Sequence, residues 1–186
     1  NGSTLSFWAK KHTLPFTIPF VNYTVGPFFY ASVNPFFIIT MTPVVNRFYA
    51  FLRQRGLEPS TPVKMLIGML LTATSYSIMV VASLVGGNTG KVDAGWLIAC
   101  YFVITLGELH ISPMGLSTVS KMAPQKYRGV AMGIWMASTF VGNFLCGLVG
   151  KLWWTKIPNS NFFLILVGTS IFATTLLFVS LRFLNR

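Results

Sequence analysis

The sequence predicts an all-α membrane protein, a bundle of about five and a half transmembrane helices. Three observations carry that prediction. Of its 186 residues, 53% are hydrophobic and 9% are charged, against roughly 25% charged in soluble domains, and the mean hydropathy is +0.65. Five apolar runs each reach the roughly 20 residues that a helix needs to cross the hydrocarbon core. Most of the charges lie in the gaps between those runs and few inside them, as they do when lipid rather than water covers the apolar faces.

The elements follow in chain order. Asn1 to Lys11 reads as the last turns of a helix already under way: there is no initiator Met, charged n-region or cleavage site, so no signal peptide is expected and the chain reads as a piece of a longer one. Leu14 to Val25 carries Pro15 and Pro19 and is expected to be a loop or a short interfacial piece. The runs are Phe28 to Phe51, Met65 to Val85, Trp96 to Val119, Val130 to Trp153 and Phe162 to Leu181. Turn or helix-stop chemistry separates them, at Arg55 to Pro62, Gly86 to Gly90, Ala123 to Lys126 and Ile157 to Ser160.

A net charge of +11 raises the question of nucleic acid, but a nucleic-acid binder gathers its Lys and Arg on one face or helix. Here they set topology, and no nucleic-acid partner is expected. Alternate gaps hold nine basic residues on one side (Arg47, Arg53, Arg55, Lys64, Lys121, Lys126, Arg128, Arg182, Arg186) and five on the other (Lys10, Lys11, Lys91, Lys151, Lys156). The richer side is expected to be cytoplasmic, with the C-terminus inside. Trp8, Trp96, Trp153 and Trp154 then fall at outer boundaries, as an aromatic belt requires. Cys100 and Cys146 lie in apolar runs as small hydrophobes. The triplets at Asn1 and Asn22 that match a glycosylation acceptor carry no weight.

Polar residues inside a span are expensive and mark function by default. Glu108 lies twelve residues past Trp96, about 18 Å along the axis and near the bilayer centre. The chain's two other acidic residues, Glu58 and Asp93, fall in loops. A carboxylate at that depth either takes up a proton or pairs with a cation, which suits a proton-coupled or cation-binding site; a permanent pairing that locks two helices is the structural reading. Ser112 stands one turn beyond Glu108 on the same face, before the helix-kinking Pro113, and either lines a pocket or bonds back to its own helix. His110 projects elsewhere and is read as a packing or boundary residue. Asn34, before Pro35, needs partners for its amide, from a ligand or a neighbouring helix. Trp135 belongs either to an inner aromatic belt or to the wall of the bundle interior, on a face shared with Thr139, Gly142 and Cys146. Gly129 and Gly133 form a small-xxx-small pair suited to close helix contact, and Asn143 reads as packing glue. No nucleophile elbow, phosphate loop or metal-spaced cluster is present in the sequence, so no enzyme, metal or cofactor is expected.

Gly107-Glu108-Leu109-His110-Ile111-Ser112-Pro113-Met114-Gly115-Leu116-Ser117, with Lys121-Met122-Ala123-Pro124 after it, resembles the tenth helix of the proton-dependent oligopeptide transporters, a branch of the major facilitator superfamily. Ser32-Val33-Asn34-Pro35 resembles that family's eighth helix, Asn1-Gly2-Ser3 the end of its seventh, and Met132-Gly133-Ile134-Trp135 its eleventh. The resemblance implies that residues 1–186 form the C-terminal six-helix bundle, from the end of helix 7 through helix 12, of a transporter with two six-helix halves. It further implies symport of di- and tripeptides with protons, by alternating access around a midplane site, with protons the coupling ion and no other cofactor. In that family the carboxylate matching Glu108 receives the peptide's amino terminus and can pair with a lysine on the fourth helix. The residues matching Asn34, Ser112 and Trp135 line the same pocket. The missing N-terminal half would supply the opposite wall, and the protein would be multi-pass in a bacterial inner membrane or plasma membrane. A carrier of another solute, such as nitrate or a drug-like molecule, and a channel or scaffold subunit are the alternatives. The retained Glu108 argues against the first, and polarity gathered at one depth argues against the second.

Overall fold

The computed structural model describes residues 2–14, 17–18, 23–24, 26–88, 90–153 and 156–184. Asn1, Asn22, Trp154 and Arg186 lie outside the described residues, as do the side chains of Lys151 and Trp153. Each apolar run becomes a helix: α2 Pro27–Gln54, α3 Thr61–Val85, α4 Ala94–Met122, α5 Arg128–Trp153 and α6 Asn159–Leu184. The opening segment forms α1, Gly2–His12, and a one-turn 3₁₀ helix, Gln125–Tyr127, leads into α5. All five long helices are apolar enough to cross a membrane. At 25 to 29 residues each they run about 37 to 43 Å, longer than a hydrocarbon core of about 30 Å.

Local chemistry fixes the helix ends. Pro27 opens α2 and Pro62 stands in the first turn of α3, where a missing N–H is no loss. Asp93 caps α4, its Oδ1 accepting from the Gly95 N–H at 2.7 Å. Beyond α3 the chain turns through Gly87 and Asn88 in the left-handed region, φ 61° and 65°. Asn88 tolerates that conformation and uses it, since its Oδ1 accepts from the Ser160 N–H at 2.8 Å and its carbonyl from Asn159 Nδ2 at 2.7 Å. The same Asn159 amide lies 3.1 Å from His12 Nε2. One knot thus gathers the end of α1, the α3–α4 turn and the start of α6. A backbone strap joins it, with Val92 N–H donating to the His12 carbonyl and Leu14 N–H to that of Val92.

Within the expected loop at Leu14 to Val25 two short strands pair, β1 Thr17–Ile18 against β2 Tyr23–Thr24, antiparallel.

The core sits toward the knotted end. Leu5, Trp8, Tyr30, Met79, Leu97, Cys100, Tyr101, Ile104 and Phe163 form one buried cluster from α1, α2, α3, α4 and α6. Trp8 is therefore core, 1% exposed, and not the belt residue expected from its position, because α1 is covered by its neighbours. α3 lies between α4 and α6, α2 packs on α4, and α5 touches α4 and α1 at the edge of the bundle. The outward faces of α2, α5 and α6 carry Phe36, Ile39, Phe140, Phe144 and Phe172, all exposed, as a lipid-facing surface demands.

At the other end Lys64 corrects a second expectation. It does not sit in a loop but is buried in the first turn of α3, 5% exposed. Its Nζ reaches Glu58 Oε1 at 2.5 Å and lies 4.3 Å from the centre of the Tyr49 ring. Arg53 holds the other Glu58 oxygen, Nε to Oε2 at 2.6 Å. Hydrogen bonds from Arg53 first and Lys64 second bring the Glu58 carboxyl down to about 2.

Candidate functional site

The position of α4 is set by a glycine crossing. A Cβ on Gly107 would fall 2.8 Å from the Gly68 carbonyl oxygen of α3, and a Cβ on Gly68 equally close to that of Gly107. Only two glycines allow this approach, and it places the next residue, Glu108, against α2 and α3. The expected Gly129–Gly133 pair does not perform this role: among the described residues no atom lies within 4 Å of a Cβ built on either. That face of α5 points away from the rest of the chain.

Along α4, Tyr101, Thr105, Glu108, Ser112 and Gly115 recur at spacings of four and three, which makes them one stripe. The helix continues through Pro113. Glu108 and Asn34, residues singled out for different reasons in the sequence, meet there. Asn34 Nδ2 donates to Glu108 Oε2 at 3.1 Å, across 74 positions of chain. The other end of the same amide, Oδ1, faces Thr105 Oγ1 at 3.0 Å. Asn34 is thus held at both ends by residues three apart on one helix. Tyr76 of α3 lies within electrostatic reach of Glu108.

Ser112 is exposed one turn along the stripe. Trp135 is half-buried, and the outer edge of its ring meets Gly115, where an added Cβ would come within 2.3 Å of Cη2. It therefore faces the α4 stripe, about 10 Å along the axis from Glu108. Cys146, on the Trp135 face, is half-buried, whereas Thr139, Gly142 and Asn143 are exposed. His110 is buried on another side of α4, its Nδ1 2.6 Å from the Leu106 carbonyl and its ring edge-on to Tyr49, the packing role expected of it.

Three residues were missed by sequence reasoning: Thr105, Tyr76 and Gly115. Thr105 carried a signal, since it precedes Glu108 by three positions as Ser112 follows it by four. Gly115 carried a weaker one as a small residue two turns on. Tyr76 had none, because only the α3–α4 crossing brings it near. Among the described residues no group of His, Cys, Asp and Glu is placed to hold a metal.

The family model described as the POT family matches residues 1–163. The chain belongs to the POT family. Among curated POT-like relatives, the peptide transporter YePEPT of Yersinia enterocolitica is 34% identical over 133 residues, 70% of this chain and 26% of its own length. A di-/tripeptide transporter of Lactococcus lactis is 37% identical over 114 residues, 61% of this chain and 22% of its own. The chain spans about a quarter of the length of these relatives. A crystal structure of a mutant peptide transporter POT with alafosfalin superposes with TM-score 0.81 at 27% identity, covering 93% of this chain and 34% of that one. A POT family transporter with a thioalcohol-conjugated peptide gives TM-score 0.78 over 100% of this chain, at 24% identity, and shows the fold alone. The all-α class expected from the sequence stands, and its helices form part of a POT transporter fold in an integral, multi-pass membrane protein.

Proposed function

We propose that the complete protein is a proton-coupled symporter of di- and tripeptides, and that this chain supplies the C-terminal wall of its central site. The observation that carries the reading is the Glu108 carboxylate, held at mid-span by the Asn34 amide on a helix stripe shared with Ser112 and lined by Trp135. An ionised carboxylate at that depth offers an ammonium group an ion pair far stronger than water would allow. The alafosfalin-bound and peptide-named relatives support the substrate class. The reading is of a carrier, not an enzyme, with protons the coupling ion.

In this mechanism Glu108 binds the peptide's amino terminus while ionised and releases it on protonation or on pairing with a cation of the N-terminal half. Two half-bundles rock about the site, so that its charges change partners between the outward and inward states. Asn34 keeps the carboxylate oriented, Ser112 offers a hydroxyl, and the Trp135 ring gives a side-chain wall. The richer basic side, with the C-terminus, faces the cytoplasm of a bacterial inner membrane or plasma membrane.

The test is uptake of a labelled dipeptide by proteoliposomes holding the full-length protein, with and without an inward proton gradient. Concentrative uptake that requires the gradient and is lost in Glu108→Gln is expected. Uptake indifferent to the gradient, or wild-type accumulation by the mutant, overturns the reading.

A further inference from the structure

We propose that Thr105 is a positioning residue that braces the carbonyl end of the Asn34 amide and so holds its NH₂ end on Glu108, keeping the site arranged to receive a cationic group. The inference rests on the peptide-carrier reading for its consequence, but its geometry stands by itself. The NH₂ end of Asn34 donates to Glu108 Oε2 at 3.1 Å, and the carbonyl end is turned to Thr105 Oγ1 at 3.0 Å. There Thr105 must donate. Its single hydrogen is shared with the Tyr101 carbonyl, 2.6 Å away one turn back on α4.

Thr105 is 0% exposed, so no water replaces the hydroxyl when it is lost. A valine of the same shape would leave the Asn34 carbonyl facing a methyl group. The amide would then gain nothing from its present orientation except the Glu108 contact. Reversed, it would set its oxygen against the carboxylate and repel it. Glu108 itself selects the NH₂ end of the amide, and the Thr105 hydroxyl braces the carbonyl end, so that the amide stays seated on the carboxylate.

The experiment uses the full-length transporter carrying asparagine labelled with ¹³C at the side-chain carbonyl, the Asn34 band being identified by its disappearance in Asn34→Leu. In Thr105→Val the band should rise in frequency as the carbonyl loses its donor, and Thr105→Ser should restore it. Thr105→Val should raise the dipeptide KM about three- to tenfold, the loss of one hydrogen bond, with kcat little changed and Thr105→Ser close to wild type. In an Asn34→Leu background Thr105→Val should add nothing. An unmoved band, or a KM rise as large without Asn34 as with it, overturns the proposal. Should the wild type take up no dipeptide, the carrier reading falls, and the band alone decides whether Thr105 braces the amide. Thr105→Ala, smaller than Val, repeats both measurements if Val disturbs folding.

Discussion

Gly68 of α3 and Gly107 of α4 face each other across the helix crossing, each where a methyl group would sit 2.8 Å from the other's carbonyl oxygen. The pair sets how close the two helices run. Substituting alanine at either glycine forces the backbones apart. A loss of about 1 to 3 kcal/mol is expected from overpacking, offset by up to about 1 kcal/mol of helix propensity. Thermal unfolding of the purified full-length protein should show a lowered Tm for Gly107→Ala and Gly68→Ala. Gly168→Ala on α6, with no atom within 4 Å among the described residues, should match wild type or exceed it.

The outer edge of the Trp135 ring meets Gly115, where a Cβ would lie 2.3 Å from Cη2. Gly115→Ala should therefore displace the ring and not merely crowd it. The emission of Trp135, isolated by subtracting Trp135→Phe, should shift in the variant. Uptake selectivity among dipeptides of different side-chain size should change more than the total transport of the smallest one. An unshifted spectrum would show that the ring rests elsewhere.

Ser112 is exposed on the Glu108 stripe, so its hydroxyl contributes little to holding this bundle together. Ser112→Ala should leave Tm within the range of a neutral surface change, about 0.5 kcal/mol. If Ser112 touches substrate, the same variant raises the dipeptide KM several-fold. An equal KM with an equal Tm would remove Ser112 from the site.

The Arg53–Glu58–Lys64 cluster ties the α2–α3 loop to the buried end of α3. Its carboxyl titrates near 2 instead of the ordinary 4.5. A depressed carboxyl contributes stability that is fully present above about 4.5 and fades as pH falls toward 2. The Tm difference between wild type and Glu58→Gln should hide nothing above pH 5, staying constant there, and should shrink steadily below it. A difference that grows on acidification has the wrong sign for this cluster.

Much of the architecture was legible because hydropathy is a one-dimensional property. The five spans, their breaks at Gly and Pro, and the lone carboxylate at Glu108 are statements about composition along a line. So was the candidate list, since Glu108, Asn34, Ser112 and Trp135 are polar or aromatic residues where such residues are costly. What failed was burial at the ends. Trp8 and Lys64 were assigned to membrane boundaries, yet each is covered by a neighbouring helix whose arrival no local pattern announces. The Gly129–Gly133 spacing suits a close crossing as well as Gly68 and Gly107 do, and the motif alone does not say which glycines meet.

By itself the sequence determined that this chain lives in a bilayer as long helices, and which residue there carries the exceptional charge. Hydrocarbon imposes those facts on each segment separately, because every span must satisfy its own backbone and hide its own polarity. The tertiary structure alone decided the partners: that the Asn34 amide, 74 positions away, reaches Glu108, that its other end meets Thr105, and that Trp135 meets Gly115. Those contacts depend on the distance and rotation between helices, which side-chain volume at a few crossings sets and which no stretch of chain contains.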